Sequence, residues 1–353
     1  MTEIEEKKKQ ISDWVDFPEE KIGVFKGPKK NYRNRMDFSF HPEGLGLKER
    51  RKWWKVLDYK QSDLANEKIN FLMEEIREFF VDKEDFRAFD FVKKEGEFMF
   101  AVIRATSLTS TVTIVLNQNA ENLEKAKELV KEYSEKSSAE NVLIGHVKKN
   151  SGASVTKKFE VLKGSEFLKE KILGREFHFH SQGFFQVNSE VAEKMTEHVR
   201  NLAEKHKNKL LLDIYGGVGV FGITCSEYFD KVVLNEVDKD SVELAEKNAE
   251  KNLIENLEAH ALETKKLDRL DLIYSEEETT AIVDPPRAGI NLRALRKILK
   301  VKPKSIIYVS CNPKRLSEEL PEFKQEGFEI KSVKVFDIFP GTDHVETVVE
   351  MAR

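Results

Sequence analysis

Four short stretches of the 353-residue sequence combine residue types that can do chemistry. The first, Asp213-Ile-Tyr-Gly-Gly-Val-Gly-Val-Phe221, places glycines at 216, 217 and 219 at the end of the apolar run LLLDI. Glycines there let the backbone turn sharply and approach a ligand closely. Glu236 lies 23 residues after Asp213, at the end of the next apolar run, where a carboxylate can accept both hydroxyls of a ribose. Together they point to an adenosine-type cofactor, either a dinucleotide or S-adenosylmethionine, against the plainer reading of a tight turn with no ligand. The spacing is read as departing from the G-x-G-x-x-G of dinucleotide sites, with the third glycine one place early or late. S-adenosylmethionine has no pyrophosphate to cradle and tolerates that departure.

Two more stretches end apolar runs. In Asp284-Pro-Pro-Arg287 the prolines stiffen the chain after an acid and so present its carboxylate in a fixed geometry. In Ser310-Cys-Asn-Pro313 a thiol stands where the chain leaves the core and Pro313 stops the run. A thiol is needed there only if the reaction needs a nucleophile. Methyl transfer to nitrogen does not, but carbon 5 of a pyrimidine becomes nucleophilic once a thiolate has added to carbon 6. The carbon-5 proton must then be removed, and Glu346 in the fourth stretch, DHVETVV, is the candidate base. Cys225, inside a helical segment, reads as an inert buried thiol.

The elements that must position these groups follow from periodicity. From about residue 176, near-continuous Val, Ile and Leu runs (LLLDIYG, KVVLNEV, TAIVDPPR, KSIIYVSCNP) alternate with amphipathic helices, starting with one carrying Val191, Met195, Val199 and Leu202. That pattern predicts a doubly wound α/β domain with a mostly parallel sheet, whose strand ends bring Asp284 and Cys311 to one substrate. The closing FEIKSVKVFDIFPGTDHVETVVEMA reads as two strands joined at PGT.

Before it, residues 64–175 predict a smaller α+β domain suited to RNA. A helix carries Ile69, Leu72, Met73, Ile76 and Phe80 with Asp63 as its cap, strands follow at AFDFV, EFMFAVIRA and TVTIVLN, and a second helix starting near Glu121 precedes the strand VLIGHV. SGASVTKKFEVLKGSE reads as a polar connection. Residues 1–63 are expected to form an N-terminal segment built on a basic β-hairpin with its turn at HPEGLGL, and 176–353 the catalytic domain.

Net charge is −4, yet residues 21–60 hold twelve Lys/Arg against four acids. This block is interleaved with Phe25, Tyr32, Phe38, Phe40, Trp53 and Trp54, a combination that can hold phosphates and stack bases. Arg33, Arg35, Arg50 and Arg51 are its RNA-binding candidates, and removing them is expected to weaken RNA affinity without abolishing cofactor binding. The competing reading is a solvated hairpin with core aromatics. No run of 18–20 apolar residues, no apolar N-terminal leader and only two cysteines predict a soluble, reducing, cytoplasmic setting with no membrane partner. A monomer is expected. The His178-Phe-His180 pair lacks a third ligand and reads as structural, so no metal is expected.

Taken together, GFFQVN, DIYGGVGVF, NEVDKD, DPPRAG, YVSCNP and FPGTDHVETVV, in this order, resemble the RNA uracil-C5 methyltransferases, which make 5-methyluridine in tRNA or ribosomal RNA. The YRNRMDF segment and its hairpin are similar too, whereas 64–175 matches mainly in arrangement. The resemblance implies a Rossmann-like S-adenosylmethionine domain with Cys311 as nucleophile and Glu346 as proton acceptor. Gln186, Tyr215, Gly216, Gly217, Gly219, Val220 (through its backbone), Glu236 and Asp284 would line the cofactor and uracil site, with Asp284 and Gln186 near the methyl donor and the flipped base. Many relatives carry an N-terminal barrel and a four-cysteine iron-sulfur cluster. With two cysteines the cluster is not expected, and the short form resembles the tRNA-specific branch acting on position 54 of the T-loop. Ribosomal RNA is the alternative target. A base N-methyltransferase would leave Cys311 and Glu346 without work. A 5-methylcytosine enzyme would carry its cysteine where Asp284 to Arg287 stand, a catalytically dead RNA-binding protein would not need intact SCNP and HVE, and an oxidoreductase would need different glycines.

Overall fold

The structure, a computed structural model, describes residues 3–49, 51–270 and 278–353. The chain opens with α1 (Glu3–Val15) and β1 (Gly23–Lys26). Next come β2 (Arg35–His41), β3 (Gly44–Glu49), β4 (Lys52–Asp58), α2 (Glu67–Phe80), β5 (Phe98–Ala105), β6 (Ser110–Asn117), α3 (Leu123–Lys136), β7 (Asn141–Val147) and β8 (Phe159–Lys163). A hairpin, β9 (Phe167–Ile172) and β10 (Arg175–His180), leads to α4 (Ser189–Lys205), β11 (Asn208–Ile214), α5 (Val220–Cys225), β12 (Phe229–Glu236), α6 (Lys239–Lys251) and β13 (Leu257–Ala261). The chain closes with β14 (Thr279–Val283), α7 (Leu292–Val301), β15 (Ser305–Ser310), α8 (Pro313–Gln325), β16 (Glu329–Asp337) and β17 (Glu346–Ala352).

Two compact units result. One comprises Met1–Lys29, Lys171–His178 and Glu190–Arg353; the other comprises Lys30–Glu170 and Phe179–Ser189. They do not coincide with the expected segments 1–63, 64–175 and 176–353: β2, β3 and β4 share one sheet with β5 to β8, and residues 1–29 join the first unit through α1. Although EIEEKKKQISDWV looks like a solvated charged run, Ile4, Ile11 and Val15 share one face and are buried in the core of the first unit. Burying each such side chain contributes about 1.5–3 kcal/mol. Between them Lys7 is buried as well, its ammonium 2.7 Å from Glu3 and 3.2 Å from Asp337.

The first unit is built on an eight-stranded sheet in the order β1-β16-β17-β15-β14-β11-β12-β13. Its central strands β15, β14, β11, β12 and β13 are parallel, β17 runs antiparallel to both neighbours, and β1 pairs parallel with β16. Apolar clusters cover both faces, as the doubly wound pattern requires. Chain order reverses between β14 and β11, the point in such sheets where a crevice opens beyond the carboxyl ends of the strands. β13 was not evident from sequence: LEAHA alternates weakly, and its burial is partial throughout.

In the second unit the order is β4-β3-β2-β5-β6-β7-β8, with α2 and α3 packed on one face through Ile69, Leu72, Met73, Ile76, Val130 and Tyr133. The α2 cap is Asn66, whose side chain accepts from the Ile69 amide at 2.9 Å; Asp63 instead pairs with Lys30 at 3.0 Å. AFDFV is not a strand but a turn with isolated bridges, Ala88 to Phe98 and Asp90 to Glu95, whose Phe89 and Phe91 cover the sheet's other face. The hairpin turn falls at Pro42-Glu43, and Gly44 to Leu47 are already strand. The stretch expected to be only a connection contains β8, the last strand of this sheet.

Candidate active site

Sheet register brings the candidate groups of the first unit into one row. Ser310 of β15 pairs with Thr347 of β17 in antiparallel register, so Cys311 and Glu346 occupy the next opposed positions. Directly opposed residues hold their Cβ atoms about 4.5–5.5 Å apart. On the other side of β15, Asp284 follows β14, whose backbone amide donates to the Ile214 carbonyl of β11 at 3.2 Å. β11 then leads into Tyr215 and the glycines, and β12 ends in Glu236. Five adjacent strands thus carry Glu346, Cys311, Asp284, Tyr215 and Glu236, spread over about 19 Å at about 4.8 Å per strand.

The nucleophile and acid end of this row is left without partners. Glu346 is 7% exposed, and its carboxyl makes no hydrogen bond or ion pair with another described residue; neither does that of the half-buried Asp284. Buried polar groups are ordinarily satisfied, so unpaired ones that converge mark a site kept open for a ligand. Burial pushes the Glu346 carboxyl well above the usual carboxylate range, and the Asp284 charge adds to the shift. Asp284 is pushed up to about 7 by burial and by Asp213. Cys311 is pushed up to about 11 by burial, then by Glu346 and Asp284, with Arg287 pulling the other way.

Because the folded pKa of Asp284 lies above its unfolded value, the native state holds that proton more tightly. The stability this provides is complete below about pH 4 and is lost as pH rises through about 7. Asp284→Asn, neutral throughout, is therefore expected to melt above the wild type at pH 8 by about 2–5 °C, with the gap narrower at pH 5 and closing only below about pH 4. Calorimetry of the ligand-free protein at both pH values checks this, and equal melting at pH 8 would contradict it.

The adenosine end is organised in the opposite way. Tyr215 (φ 64°), Gly217 (φ 54°) and Gly219 (φ 90°) take left-handed backbone conformations. A Cβ on Gly217 would meet nothing within 4 Å, which leaves its face of the turn open to a ligand, whereas one on Gly216 would strike Leu234 at 2.6 Å. Glu236 is locked by three amides: those of Val237 at 2.6 Å, Asp238 at 3.0 Å and Gly217 at 3.2 Å. A half-buried, immobilised carboxylate beside an open glycine turn fits a ribose diol. Val220 begins α5, and the loop before it is tied to α6 by Asn248, which donates to the Val218 carbonyl at 3.0 Å.

The glycine spacing differs from the sequence expectation. Starting from Gly217, the run Gly217-Val-Gly219-Val-Phe-Gly222 does satisfy G-x-G-x-x-G, so spacing alone does not separate the two cofactor classes. Gly222 is there for packing: its amide donates to Asp213 at 2.8 Å, and a Cβ would lie 2.9 Å from the same carboxylate oxygen.

A support behind Cys311 was not found from sequence. Three residues of the SCNP turn and α8 hold the loop after Asp284: Asn312 donates to the Arg287 carbonyl at 3.1 Å, Arg315 to Ala288 at 3.0 Å, and Glu319 accepts from the Ile290 amide at 2.7 Å. Glu319, 4% exposed, also accepts from the Tyr308 hydroxyl at 2.7 Å. The signal was the polar spacing N-x-x-R-x-x-x-E, one helix face directed at one loop. Glu319→Ala leaves both donors unpaired and is expected to cost about 2–4 kcal/mol in denaturant unfolding. A loss below about 1 kcal/mol would show that the contacts are incidental.

The remaining candidates lie in the second unit. Gln186 is half-buried, in a segment whose carbonyls at Ser181 and Gly183 accept from the buried Arg104 at 3.0 and 2.8 Å. Arg35 is committed to a two-pronged pair with Asp37 at 2.8 and 2.9 Å. Arg33 is half-buried, Arg51 is exposed, and Arg50 lies outside the described residues. Of the interleaved aromatics, Tyr32, Phe38 and Phe40 are core, Phe25 is half-buried and belongs to the first unit, Trp54 is 48% exposed, and the Trp53 side chain lies outside the described residues. His178 and His180 meet Glu176 (2.8 Å) and Glu166 (3.7 Å) separately, and no three potential ligands group as a metal site among the described residues. No described helix is long and apolar enough to cross a membrane.

A crystal structure of the Pyrococcus abyssi tRNA (uracil-54, C5)-methyltransferase in complex with S-adenosyl-L-homocysteine superimposes with a TM-score of 0.80 at 26% identity, covering 98% of this chain and 82% of that one. The curated P. abyssi tRNA (uracil(54)-C(5))-methyltransferase is 29% identical over 99% of this chain and 80% of its own length. An uncharacterized RNA methyltransferase of Caldanaerobacter subterraneus is 32% identical over 93% of this chain and 74% of its own length. The family model described as tRNA (Uracil-5-)-methyltransferase matches residues 1–353, and the chain belongs to that family.

Proposed function

We propose that this protein, an RNA uracil-C5 methyltransferase, modifies uridine 54 in the T-loop of tRNA through a covalent Cys311 adduct. The observation that carries the mechanism is the opposed placement of Cys311 and the unpaired, buried Glu346 at neighbouring strand ends. The tRNA assignment is supported by the Pyrococcus relatives named for that position.

S-adenosylmethionine supplies an electrophilic methyl group to carbon 5. Glu236 and the turn from Tyr215 to Val220 hold its adenosine part, with Asp284 next along the row. Cys311 loses its proton to solvent as Sγ bonds to carbon 6 of the uracil, and the former double-bond pair spreads towards carbon 5 and O4. Once carbon 5 bears the methyl group, the Glu346 carboxylate takes its proton, the C–H pair restores the double bond, and Sγ departs. A raised proton affinity suits Glu346 to take a proton from carbon. The enzyme works as a monomer in a reducing cytoplasm, where Cys225 and Cys311 both remain thiols.

The test is methylation of a tRNA transcript, its U54C variant and a ribosomal RNA fragment, followed by nucleoside analysis. 5-Methyluridine in the transcript alone is expected. Equal methylation of the U54C variant would overturn the position, and methylation of the ribosomal fragment alone would move the target to ribosomal RNA.

A further inference from the structure

Residues 146–158 read HVKKNSGASVTKK, four lysines without one carboxylate, in a chain with more acids than bases. Lys148, Lys149, Lys157 and Lys158 are exposed, and none forms an ion pair among the described residues. Some surface lysines of this unit do pair, Lys52 and Lys55 with Glu49 and Lys83 with Glu132, and the exposed Lys60, Lys93 and Lys131, which do not, are scattered rather than gathered on one loop. Glu160, the first acid after the loop, is already engaged by Lys127 at 2.9 Å and His146 at 2.8 Å.

The loop has a defined shape. β7 and β8 run antiparallel, and its base is closed by the His146 amide donating to the Lys158 carbonyl and the Thr156 hydroxyl donating to the His146 carbonyl, both at 2.8 Å. The two lysine pairs therefore stand on opposite legs of one narrow loop. Its body is pinned as well: Ser154 donates to Asp37, and the Lys149 amide to Asn119 at 3.2 Å. Lys94 reaches Asn150 at 2.8 Å and adds a fifth cation.

The Thr156 amide donates to the Gln182 side chain at 3.4 Å, and Gln182 in turn donates to Thr113 at 3.1 Å. Gln182 opens the segment that Arg104 holds by its carbonyls and that leads, four residues on, to Gln186. The lysine loop and Gln186 thus hang from one support.

We propose that this loop is a phosphate-binding surface that docks the backbone of the RNA substrate. The proposal rests on the reading that the substrate is tRNA. Lysines are compact point charges on long stems, suited to phosphates and indifferent to base identity. A chain of net charge −4 repels RNA on average, so a local unpaired cluster must supply the attraction. The pinned loop holds that charge beside the segment presenting Gln186.

The test compares wild type, the K148Q/K149Q/K157Q/K158Q variant and the corresponding four-arginine variant. tRNA-transcript affinity is measured between about 50 and 200 mM salt, together with S-adenosylhomocysteine binding and steady-state methylation. At about 0.7 per contact on unpaired RNA, the glutamine variant is expected to lose roughly 3 from the slope of log K against log salt, and about tenfold or more in low-salt affinity. KM for RNA should rise while kcat and S-adenosylhomocysteine binding hold, and the arginine variant should restore the slope. Unchanged slope and affinity in the glutamine variant would overturn the proposal. If the slope falls but the wild type makes no 5-methyluridine, the RNA surface stands and the methyltransferase reading falls.

Discussion

Replacing Cys311 with alanine is expected to lower methyl transfer to RNA by about 10⁴-fold or more while leaving S-adenosylmethionine binding and thermal stability near wild type. Carbon 5 of an unactivated uracil is a poor nucleophile, and the remaining residues of the row offer three carboxylates and the Tyr215 phenol in place of a thiol that can add to carbon 6. The Cys311 thiol stands at about 11, raised by burial and then by Glu346 and Asp284, so the resting site holds a thiol that ionises as it attacks. Serine, far harder to ionise, is not expected to restore the reaction. Cys225 is the internal control. It is fully buried in the core, its thiol is pushed up to about 12 by burial, and Cys225→Ala should keep turnover within about twofold. A tritiated-methyl transfer assay on tRNA decides the matter; a Cys311→Ala enzyme within tenfold of wild type would favour methylation at nitrogen.

Glu346→Gln is expected to separate the two halves of the reaction. Glutamine occupies nearly the same volume but does not accept the carbon-5 proton, so Sγ stays bonded to carbon 6 after the methyl group has arrived. Turnover should fall by about 10²–10⁴-fold, and a methylated covalent protein–RNA complex should accumulate with ordinary uridine-containing RNA. The pH profile carries a second signature. Burial and Asp284 raise the Glu346 pKa, so wild-type turnover should climb with pH across the range in which this carboxyl loses its proton. The glutamine variant should lack that limb. Release of free 5-methyluridine RNA at the wild-type rate by Glu346→Gln would remove Glu346 from the proton-transfer role.

The strand-end chemistry was readable from sequence because parallel strands present a simple rule: apolar run, then functional residue. LLLDIYGG, VVLNE, AIVDPP and IIYVSC each obey it, and sheet order places their ends side by side. Glu346 was harder, since it begins an antiparallel strand, and only the pairing of β17 with β15 reveals that it opposes Cys311. The supports behind the site were hidden for a different reason. Glu319 and Arg315 look like ordinary charges on a solvated helix, and Arg104 sits within the strand FMFAVIRA, where no pattern discloses that its partners are carbonyls some 80 residues later. The basic block of residues 21–60 misleads in the same way. Charge is visible in sequence, but whether Arg35 meets solvent or Asp37 depends on which residues the strand faces.

The proposed reaction turns on a covalent bond between Cys311 and carbon 6 of a tRNA uridine. It is tested most directly with a tRNA transcript carrying 5-fluorouridine, because fluorine at carbon 5 does not leave as a proton and the adduct cannot resolve. Incubated with S-adenosylmethionine and run on a denaturing gel, wild type should shift to a stable protein–RNA band that the Cys311→Ala variant does not form. Absence of that band with both tRNA and ribosomal RNA, in a protein that binds S-adenosylmethionine, would contradict the mechanism.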